Sequence, residues 1–282
     1  MHARDRVGLG WRPELAAGIL GHRDRIDLVE VIADDHLGAG RRELRALNTL
    51  ARQVPVVLHG LSLGLASAAP VSDRRLEALA RVVGAVEPEA WSEHLAFVRG
   101  GGREIGHLAA PPRRAVTLDG LSRNVARARA IVGSLPALEN VATLIDPPGS
   151  DRDEPRWLAD VVAATEAPLL LDLHNLHVNA LNFGFDARAA LAHLPLARVR
   201  LVHLAGGSWI ATTAGARRHL DDHRHDVPAP VFALLSDLAA RASQPLDVIL
   251  ERDGNYPPMA RLLTELDDAR RALALGRAQR AA

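Results

Sequence analysis

The sequence predicts an α/β protein built as a single (β/α)8 TIM-barrel domain. Eight short segments that resemble strands alternate with helical stretches, and this alternation is typical of parallel βαβ units. The 282 residues are enough for one such barrel. Nearly every strand segment ends on Asp, Glu or His, which is how a barrel presents an active site at the carboxyl ends of its strands.

The first half of the chain supplies four strands. They are expected over residues 7–10, 26–32, 55–60 and 90–94. Pro13 favours the first turn of a helix over residues 14–20, and Ser72 or Asp73 can cap another over residues 73–86, with a third helix at 41–52 between them. The glycines at 100–102 indicate a loop after the fourth strand.

The second half supplies the other four strands. They are expected over residues 135–140, 169–179, 199–204 and 246–251, with helices at 117–132, 157–165, 187–193, 229–243 and 257–274. The domain is expected to cover residues 1–282, with its core at about 7–265 and a frayed tail. An open doubly wound sheet is less favoured, because Gly8-Leu9-Gly10 lacks the third glycine of a dinucleotide-binding loop.

Composition excludes several classes of protein. Lys plus Arg and Asp plus Glu both number 34, so the zero formal charge indicates neither nucleic-acid binding nor an acidic tail. Cysteine is absent, which excludes disulfides, iron–sulfur clusters and thiolate metal sites. We find no signal peptide and no apolar run of membrane-spanning length, and therefore expect a cytoplasmic protein without a membrane partner.

The polar residues at the strand ends form a candidate metal-binding set. In a barrel they converge on one face: Glu30, His59, His94, Glu139, Asp172, His203 and Glu251. Asp221 and His223, two residues apart in the loop after the seventh strand, can point the same way. One ion needs about three to six ligands, so this set suits two or three metal ions. Ligands without sulfur fit iron, manganese or zinc.

Seven of the other histidines fall into two groups. His174 and His177 flank Asn175 and are candidates either for ligands or for residues that support them. Five others lie away from the strand ends, and we expect them to be solvated: His2, His22, His107, His193 and His219.

Taken together, the motifs resemble those of the DUF692 family, the multinuclear non-haem iron-dependent oxidative enzymes (MNIO) that include MbnB of methanobactin biosynthesis. The matching segments span about residues 7–265 in the family's order. They are Val29-Glu30-Val31, Leu58-His59-Gly60, Ser62-Leu63-Gly64, Ser92-Glu93-His94-Leu95-Ala96, Glu139-Asn140, Asp172-Leu173-His174-Asn175, Asn182-Phe183-Gly184-Phe185-Asp186, His203-Leu204-Ala205-Gly206, Leu220-Asp221-Asp222-His223-Arg224-His225, Val227-Pro228 and Glu251-Arg252-Asp253.

The resemblance implies a TIM barrel with two or three irons of mixed Fe2+/Fe3+ state. It implies O2-dependent oxidation of a ribosomally synthesised peptide, commonly at Cys, often with a partner protein that presents this precursor. By matched position the iron ligands would be His59, His94, Glu139, Asp172, His203, Asp221, His223 and Glu251, with Asn175 as a further ligand or support. Asp253 and Glu30 are the candidate catalytic residues, Asp253 for proton transfer.

Several positions depart from the family pattern. Gly207 stands where a second histidine is frequent, Arg252 stands where Trp is expected, and Asp34-Asp35 replaces an acid–amide pair. These positions border the expected pocket and therefore bear on the choice of substrate.

Two other functions fit a metal-binding barrel. One is a divalent-metal isomerase or phosphodiesterase of the xylose isomerase or endonuclease IV kind, which also places Glu, Asp and His at strand ends. The other is a non-catalytic protein that binds metal or recruits a peptide. Metal identity and oxygen consumption distinguish the three.

Overall fold

The computed structural model describes residues 4–212, 215 and 217–281. Within them eight parallel strands form a closed barrel with helices around it, so the predicted fold class is confirmed. The twelve strands of these residues are β1 (Arg6–Gly10), β2 (Val29–Ile32), β3 (Val56–Gly60), β4 (Ala90–His94), β5 (Phe97–Gly100), β6 (Arg103–Ala109), β7 (Ala137–Glu139), β8 (Leu169–Asp172), β9 (Val199–Leu204), β10 (Ser208–Ala211), β11 (Arg217–Leu220) and β12 (Asp247–Leu250). The barrel order is β1-β12-β9-β8-β7-β4-β3-β2.

Helices follow the barrel strands along the chain. Those described are α1 (Ala16–Gly21), α2 (Arg41–Ala51), α3 (Asp73–Val86), α4 (Ala115–Val132), α5 (Glu154–Thr165), α6 (Leu173–Phe183), α7 (Ala187–Ala192), α8 (Ala229–Arg241) and α9 (Met259–Ala281). None of them is both long and apolar enough to cross a membrane. The last helix continues beyond the expected end at residue 274, as far as Ala281.

The chain divides into two compact units. We call residues 29–141 and 147–169 the central unit, and residues 1–28, 142–146 and 170–282 the terminal unit. In the central unit, parallel register places His59 opposite Ser92 on the next strand, and His94 opposite Glu139. These cross-strand pairs align the carboxyl ends of β3, β4 and β7.

The terminal unit is built on β1, β12 and β9, which pair in parallel. Their apolar residues are buried, as expected for strands covered on both faces, and β9 and β12 carry His203 and Glu251 at their carboxyl ends. Leu234 and Leu235 of α8 and Leu262 and Leu266 of α9 are also buried. These barrel strands are thus apolar and buried along their length and carry polar side chains at their carboxyl ends.

Two antiparallel hairpins were not predicted. They are β5–β6 and β10–β11. In the first, the glycines expected to form a loop make the turn itself. Gly101 and Gly102 both have positive φ, +56° and +77°, which matches the type of two-residue turn that suits twisted hairpin strands.

The sixth strand is shorter than the expected segment of residues 169–179. It ends at Asp172, and α6 begins at Leu173. The Asp172 carboxylate accepts a 2.7 Å hydrogen bond from the backbone N–H of Asn175 and so caps the helix. His174, Asn175 and His177 therefore lie in the first turns of a helix rather than along a strand.

Candidate metal centre

The first cluster of metal-type ligands belongs to the central unit. We call it the central cluster: Glu30, His59, His94 and Glu139. Oε2 of Glu139 lies 3.4 Å from Nε2 of His59 and 3.3 Å from Nε2 of His94. Each of these three residues offers a ligand atom within 4.8 Å of the others, and Glu30 and His59 approach as closely. All four are buried, so the carboxylates lie where uncompensated charge is costly.

The other ring nitrogen of each histidine fixes how the ring faces Glu139. Nδ1 of His94 lies 3.1 Å from the Gly60 carbonyl oxygen, which can only accept, so Nδ1 carries the hydrogen. Nδ1 of His59 lies 2.8 Å from Oγ of Ser92, whose hydroxyl donates to the Leu58 carbonyl.

In the neutral rings both Nε2 atoms therefore turn a lone pair toward the carboxylate oxygen of Glu139. Two imidazole lone pairs and a carboxylate oxygen that face one another can bind one cation between them. Histidine ligands of metals commonly donate their other ring N–H to a neighbouring acceptor, as His59 and His94 do here.

Two further carboxylates hold the loop that follows β3. Glu93 accepts from the backbone N–H groups of Leu63 and His94, at 3.2 and 3.0 Å. Asp34 accepts from the N–H of Leu61 at 2.6 Å. Burial raises the pKa of Glu93 to about 7. The backbone next to the central cluster is thus fixed by the side chains of Glu93 and Asp34.

The second cluster belongs to the terminal unit. We call it the terminal cluster: Asp172, His174, His203, Asp221, His223 and Glu251. Nδ1 of His174 lies 2.6 Å from Oδ1 of Asp221, and Nε2 of His223 lies 2.9 Å from the same oxygen. These three residues offer ligand atoms within 4.8 Å of one another. Asp221 therefore joins two imidazoles, and Nε2 of buried His174 has no hydrogen-bond partner among the described residues.

The strand-end members of the terminal cluster are equally close. Asp172, His203 and Glu251 offer ligand atoms within 4.8 Å of one another. Oε2 of Glu251 lies 2.9 Å from Nδ1 of His203 and 3.4 Å from Nδ1 of His223. Glu251 thus connects both parts of the cluster, and the cluster has enough oxygen and nitrogen donors for more than one ion.

Electrostatics within the terminal cluster are dominated by opposite charges. Burial by itself would lower the pKa of His223. The Asp221 and Glu251 carboxylates outweigh burial and raise this pKa well above its usual value. Burial likewise opposes ionisation of Asp221, yet His223 and His174 hold the pKa of that carboxyl well below its usual range. The cluster therefore favours ionised carboxylates beside positive charge, which a metal cation can also supply.

Asp253, a candidate catalytic residue, lies at the edge of this cluster. Its Oδ2 is 3.3 Å from Nδ1 of His223, and its Oδ1 accepts a 3.0 Å hydrogen bond from Nε of Arg12. The Asp253 side chain is 42% exposed, whereas that of Glu251 is 4% exposed. Asp253 is thus an acid of this unit that a bound molecule can reach. The other candidate catalytic residue, Glu30, lies against His59 in the central cluster.

The histidines away from the strand ends differ from one another. His107 and His193 are exposed and His22 is partly buried, while His2 lies outside the described residues. The expectation of solvation is wrong for His219, which is 8% exposed. Its ring lies 5.7 Å from that of His174 and 6.5 Å from that of His177. It is buried because its ring packs against Trp209 and His174.

These three imidazoles crowd against one another. Burial, with His174 and His219 nearby, lowers the pKa of His177 to about 4. A Cβ on Gly207 would lie 2.1 Å from the Leu220 carbonyl oxygen and 2.9 Å from the His174 ring. A side chain at this position would clash, so the second histidine that the family resemblance leads one to expect has no space here.

Sequence reasoning missed Arg12, Ser92 and His219. Arg12 follows the end of β1 by two residues, so extending the strand-end rule to arginine would have found it. Ser92 supports His59 only because of cross-strand register, and His219 depends on an unpredicted hairpin. Neither signal is visible in one strand alone.

Fold and site together define a (β/α)8 barrel with buried clusters of histidine and carboxylate ligands. Residues 6–274 match the family described as the RiPP precursor modification enzymes MbnB/TglH/ChrH, where RiPP denotes a ribosomally synthesised and post-translationally modified peptide. The chain belongs to this family, which confirms the resemblance drawn from its motifs.

Sequence relatives carry the name UPF0276 protein. One from Streptomyces avermitilis is 41% identical over 274 residues, and one from Anaeromyxobacter is 35% identical over 258 residues. The alignments cover 95% and 92% of this chain. The chain spans about half of the Streptomyces relative (55%) but 89% of the Anaeromyxobacter one.

Solved structures with the same fold are distant in sequence. D-psicose 3-epimerase from Clostridium cellulolyticum superposes with a TM-score of 0.58 at 11% identity, covering 98% of this chain and 99% of that one. Endonuclease IV from Thermus thermophilus gives 0.57 at 18% identity, covering 95% and 99%. At such low identity these similarities establish the fold alone.

Proposed function

We propose that this protein is a multinuclear non-haem iron enzyme that uses O2 to oxidise a ribosomally synthesised precursor peptide, at Cys. The observation that carries the proposal is that buried histidines and carboxylates offer closely spaced ligand atoms in both units, in a member of a RiPP-modifying family. Nitrogen and oxygen donors without sulfur suit iron. Two clusters provide for two or three ions.

The proposed ligands follow the two clusters. In the central cluster they are His59, His94 and Glu139. In the terminal cluster they are Asp172, His203, Asp221, His223 and Glu251, with Asn175 as a further ligand or a residue that orients Asp172 through its backbone N–H. Iron held by these residues would supply the redox chemistry with O2.

The protein groups around the metal have separate tasks in this proposal. Asp253 accepts the thiol proton as a general base, because its carboxylate is accessible, lies beside His223 and is oriented by Arg12. Glu30 is the second catalytic residue of this proposal, and it lies beside His59 in the central cluster. Gly60 and Ser92 keep the two histidines of that cluster in the tautomer that faces Glu139.

The substrate is a precursor peptide, and we propose that a partner protein presents it to the barrel. A nucleic-acid substrate is not favoured, because the chain has no net charge with which to attract a polyanion. The likeness to epimerases and to endonuclease IV extends to the fold only, so neither activity is proposed.

Metal analysis of protein purified without oxygen tests the proposal. We expect two or three irons per chain, with ferrous and ferric signals in the Mössbauer spectrum, and O2 consumption with a Cys-containing precursor peptide encoded near the gene. His94→Ala should lose iron, whereas His193→Ala, at an exposed histidine, should not.

At most one metal per chain would refute the multinuclear site. Stoichiometric zinc or manganese, with activity indifferent to oxygen, would indicate an isomerase or phosphodiesterase. An iron-loaded protein that consumes no O2 with any candidate peptide would indicate a non-catalytic binding protein.

A further inference from the structure

A surface patch of the terminal unit combines exposed apolar side chains with two arginines. We call it the hairpin patch: Leu144, Ile145, Trp209, Arg217 and Arg218. Ile145 is 67% exposed and Trp209 is 47% exposed. Exposed apolar side chains grouped together and bordered by charge are typical of interaction sites.

Contacts within the patch hold its members in place. The Arg217 guanidinium stacks 4.9 Å from the Trp209 ring centroid, and the ring of His219 packs edge-on against the same indole at 5.1 Å. Nε of Arg218 donates to the Leu144 carbonyl at 3.4 Å. The indole is thus held by a cation and an imidazole, so little side-chain freedom remains to be lost on binding.

One buried amide joins the two segments that carry the patch. Oδ1 of Asn182 accepts from the backbone N–H of His219 at 2.7 Å, and its Nδ2 donates to the His219 carbonyl at 3.0 Å. The same Nδ2 lies 3.3 Å from the carbonyl of Thr143, directly before Leu144. The patch is therefore a built surface rather than a chance grouping of loop residues.

The charge of the patch is uncompensated. Within residues 4–212, 215 and 217–281, neither Arg217 nor Arg218 has a carboxylate at ion-pair distance; their side chains contact Trp209 and backbone carbonyls. Two guanidinium groups beside an indole and an isoleucine complement a ligand that carries both acidic and apolar side chains.

The patch is continuous with the terminal cluster. His219 contacts Trp209 on one side and His174 on the other, at 5.1 and 5.7 Å between ring centroids. His174 in turn binds Asp221 through Nδ1. A chain that lies on the patch is therefore separated from the candidate metal ligands by one imidazole.

We propose that the hairpin patch docks an acidic, apolar segment of the precursor peptide next to the residue that is modified. This inference rests on the proposed function, because it assigns the patch to the substrate of that site. Trp209 and Ile145 would contact apolar side chains of the segment, and Arg217 and Arg218 would bind its carboxylates.

Fluorescence anisotropy with two synthetic octapeptides tests the docking. One alternates Glu and Leu, the other Lys and Leu, and each carries the same dye. We expect the full chain, with or without iron, to bind the Glu peptide more tightly. The double variant Arg217→Gln/Arg218→Gln should weaken that binding by about tenfold, and Trp209→Ala by a similar factor.

Two further variants make the test independent of folding defects. Arg41→Gln/Arg42→Gln removes two exposed arginines from α2 and should leave binding unchanged. Arg217→Glu/Arg218→Glu should reverse the preference, so that the Lys peptide binds more tightly.

Equal affinity of the wild type and the Gln double variant for the Glu peptide would overturn the docking proposal. Tighter binding of a single-stranded oligonucleotide of equal charge would overturn it as well. Anisotropy needs neither metal nor turnover. Weak peptide binding by a chain with normal iron content would therefore refute only the docking proposal. Absence of iron would refute the proposed iron enzyme and leave the peptide-binding result unchanged.

Discussion

At the scale of single residues, the second ring nitrogen determines what each histidine can do. Nδ1 of His94 bonds to the Gly60 carbonyl, and Nδ1 of His59 bonds to the Ser92 hydroxyl. Both Nε2 atoms therefore face Glu139. The positions of these histidines were predictable from strand ends. Their tautomers were not, because the supporting groups lie on the neighbouring strand or in the backbone.

Removing the support of His59 should weaken metal binding without removing a ligand. For Ser92→Ala we expect the affinity of the central cluster for iron to fall by about 10–100-fold, because the ring loses the partner that sets its orientation. Chelator competition followed by metal analysis measures this change. Ser122→Ala is the matched control, since the Ser122 hydroxyl donates to the Leu118 carbonyl of its own helix. Equal affinities for the wild type and both variants would refute the role of Ser92.

At the scale of elements, the barrel strands were predictable and the hairpins were not. Strands such as β3 and β8 are buried, near-continuous apolar runs that end in polar residues, and that pattern is strong in a single sequence. Each strand of the β10–β11 hairpin has only four residues, and its exposed positions mix Trp209 with Arg217. The hairpin therefore shows no clear apolar–polar alternation, and the burial of His219 was missed. The sixth strand was drawn too long because Leu173 continues the apolar run, although Asp172 is a favourable cap for a helix.

A buried ion pair joins the end of β12 to α9. Nη2 of Arg252 lies 3.1 Å from Oε2 of Glu265 and 2.8 Å from Oδ1 of Asp226, and the other oxygen of Glu265 accepts from the Val227 N–H. Arg252 and Glu265 are buried. Because Arg252 stands between Glu251 and Asp253, this pair connects the terminal cluster to the last helix.

Breaking that pair should destabilise the protein in a pH-dependent way. Arg252→Leu leaves Glu265 buried without its cation, and we expect a loss of about 3–5 kcal/mol in unfolding free energy. Burial raises the pKa of Glu265, while Arg252 opposes the rise. A raised acid pKa contributes stability that is present at low pH and lost as pH increases through the folded value, so the deficit should be larger at pH 8 than at pH 5.

Urea unfolding of the metal-free chain at both pH values measures this loss. The double variant Arg252→Leu/Glu265→Leu is the control, since it removes both charges together and should recover most of the stability. A deficit of equal size at both pH values, or one that the double variant retains, would contradict the assignment to the unpaired carboxylate.

At the scale of the whole molecule, each unit contains its own buried set of acids and imidazoles. Glu30 and Glu139 are buried in the central unit and Asp172 is buried in the terminal unit. Buried negative charge is unfavourable unless cations compensate it. The sequence identified most of these residues through the barrel rule, which needs only strand ends. It could not divide them into two clusters, because that depends on which strands pair and on the hairpin and helix that bring His174 to Asp221.

Metal removal should therefore lower the stability of the whole chain. Free iron at 100 times the dissociation constant of one site stabilises the folded state by about 2.7 kcal/mol, and each kcal/mol corresponds to about 2–4 °C for proteins of 150–250 residues. We expect chelation to lower the melting temperature by several degrees. His94→Ala and His223→Ala should each abolish part of that difference, because they belong to different clusters, whereas His193→Ala should retain all of it. Thermal scans with and without chelator measure these shifts, and a melting temperature that does not respond to chelation, or one single variant that abolishes the entire response, would argue against two metal-binding clusters.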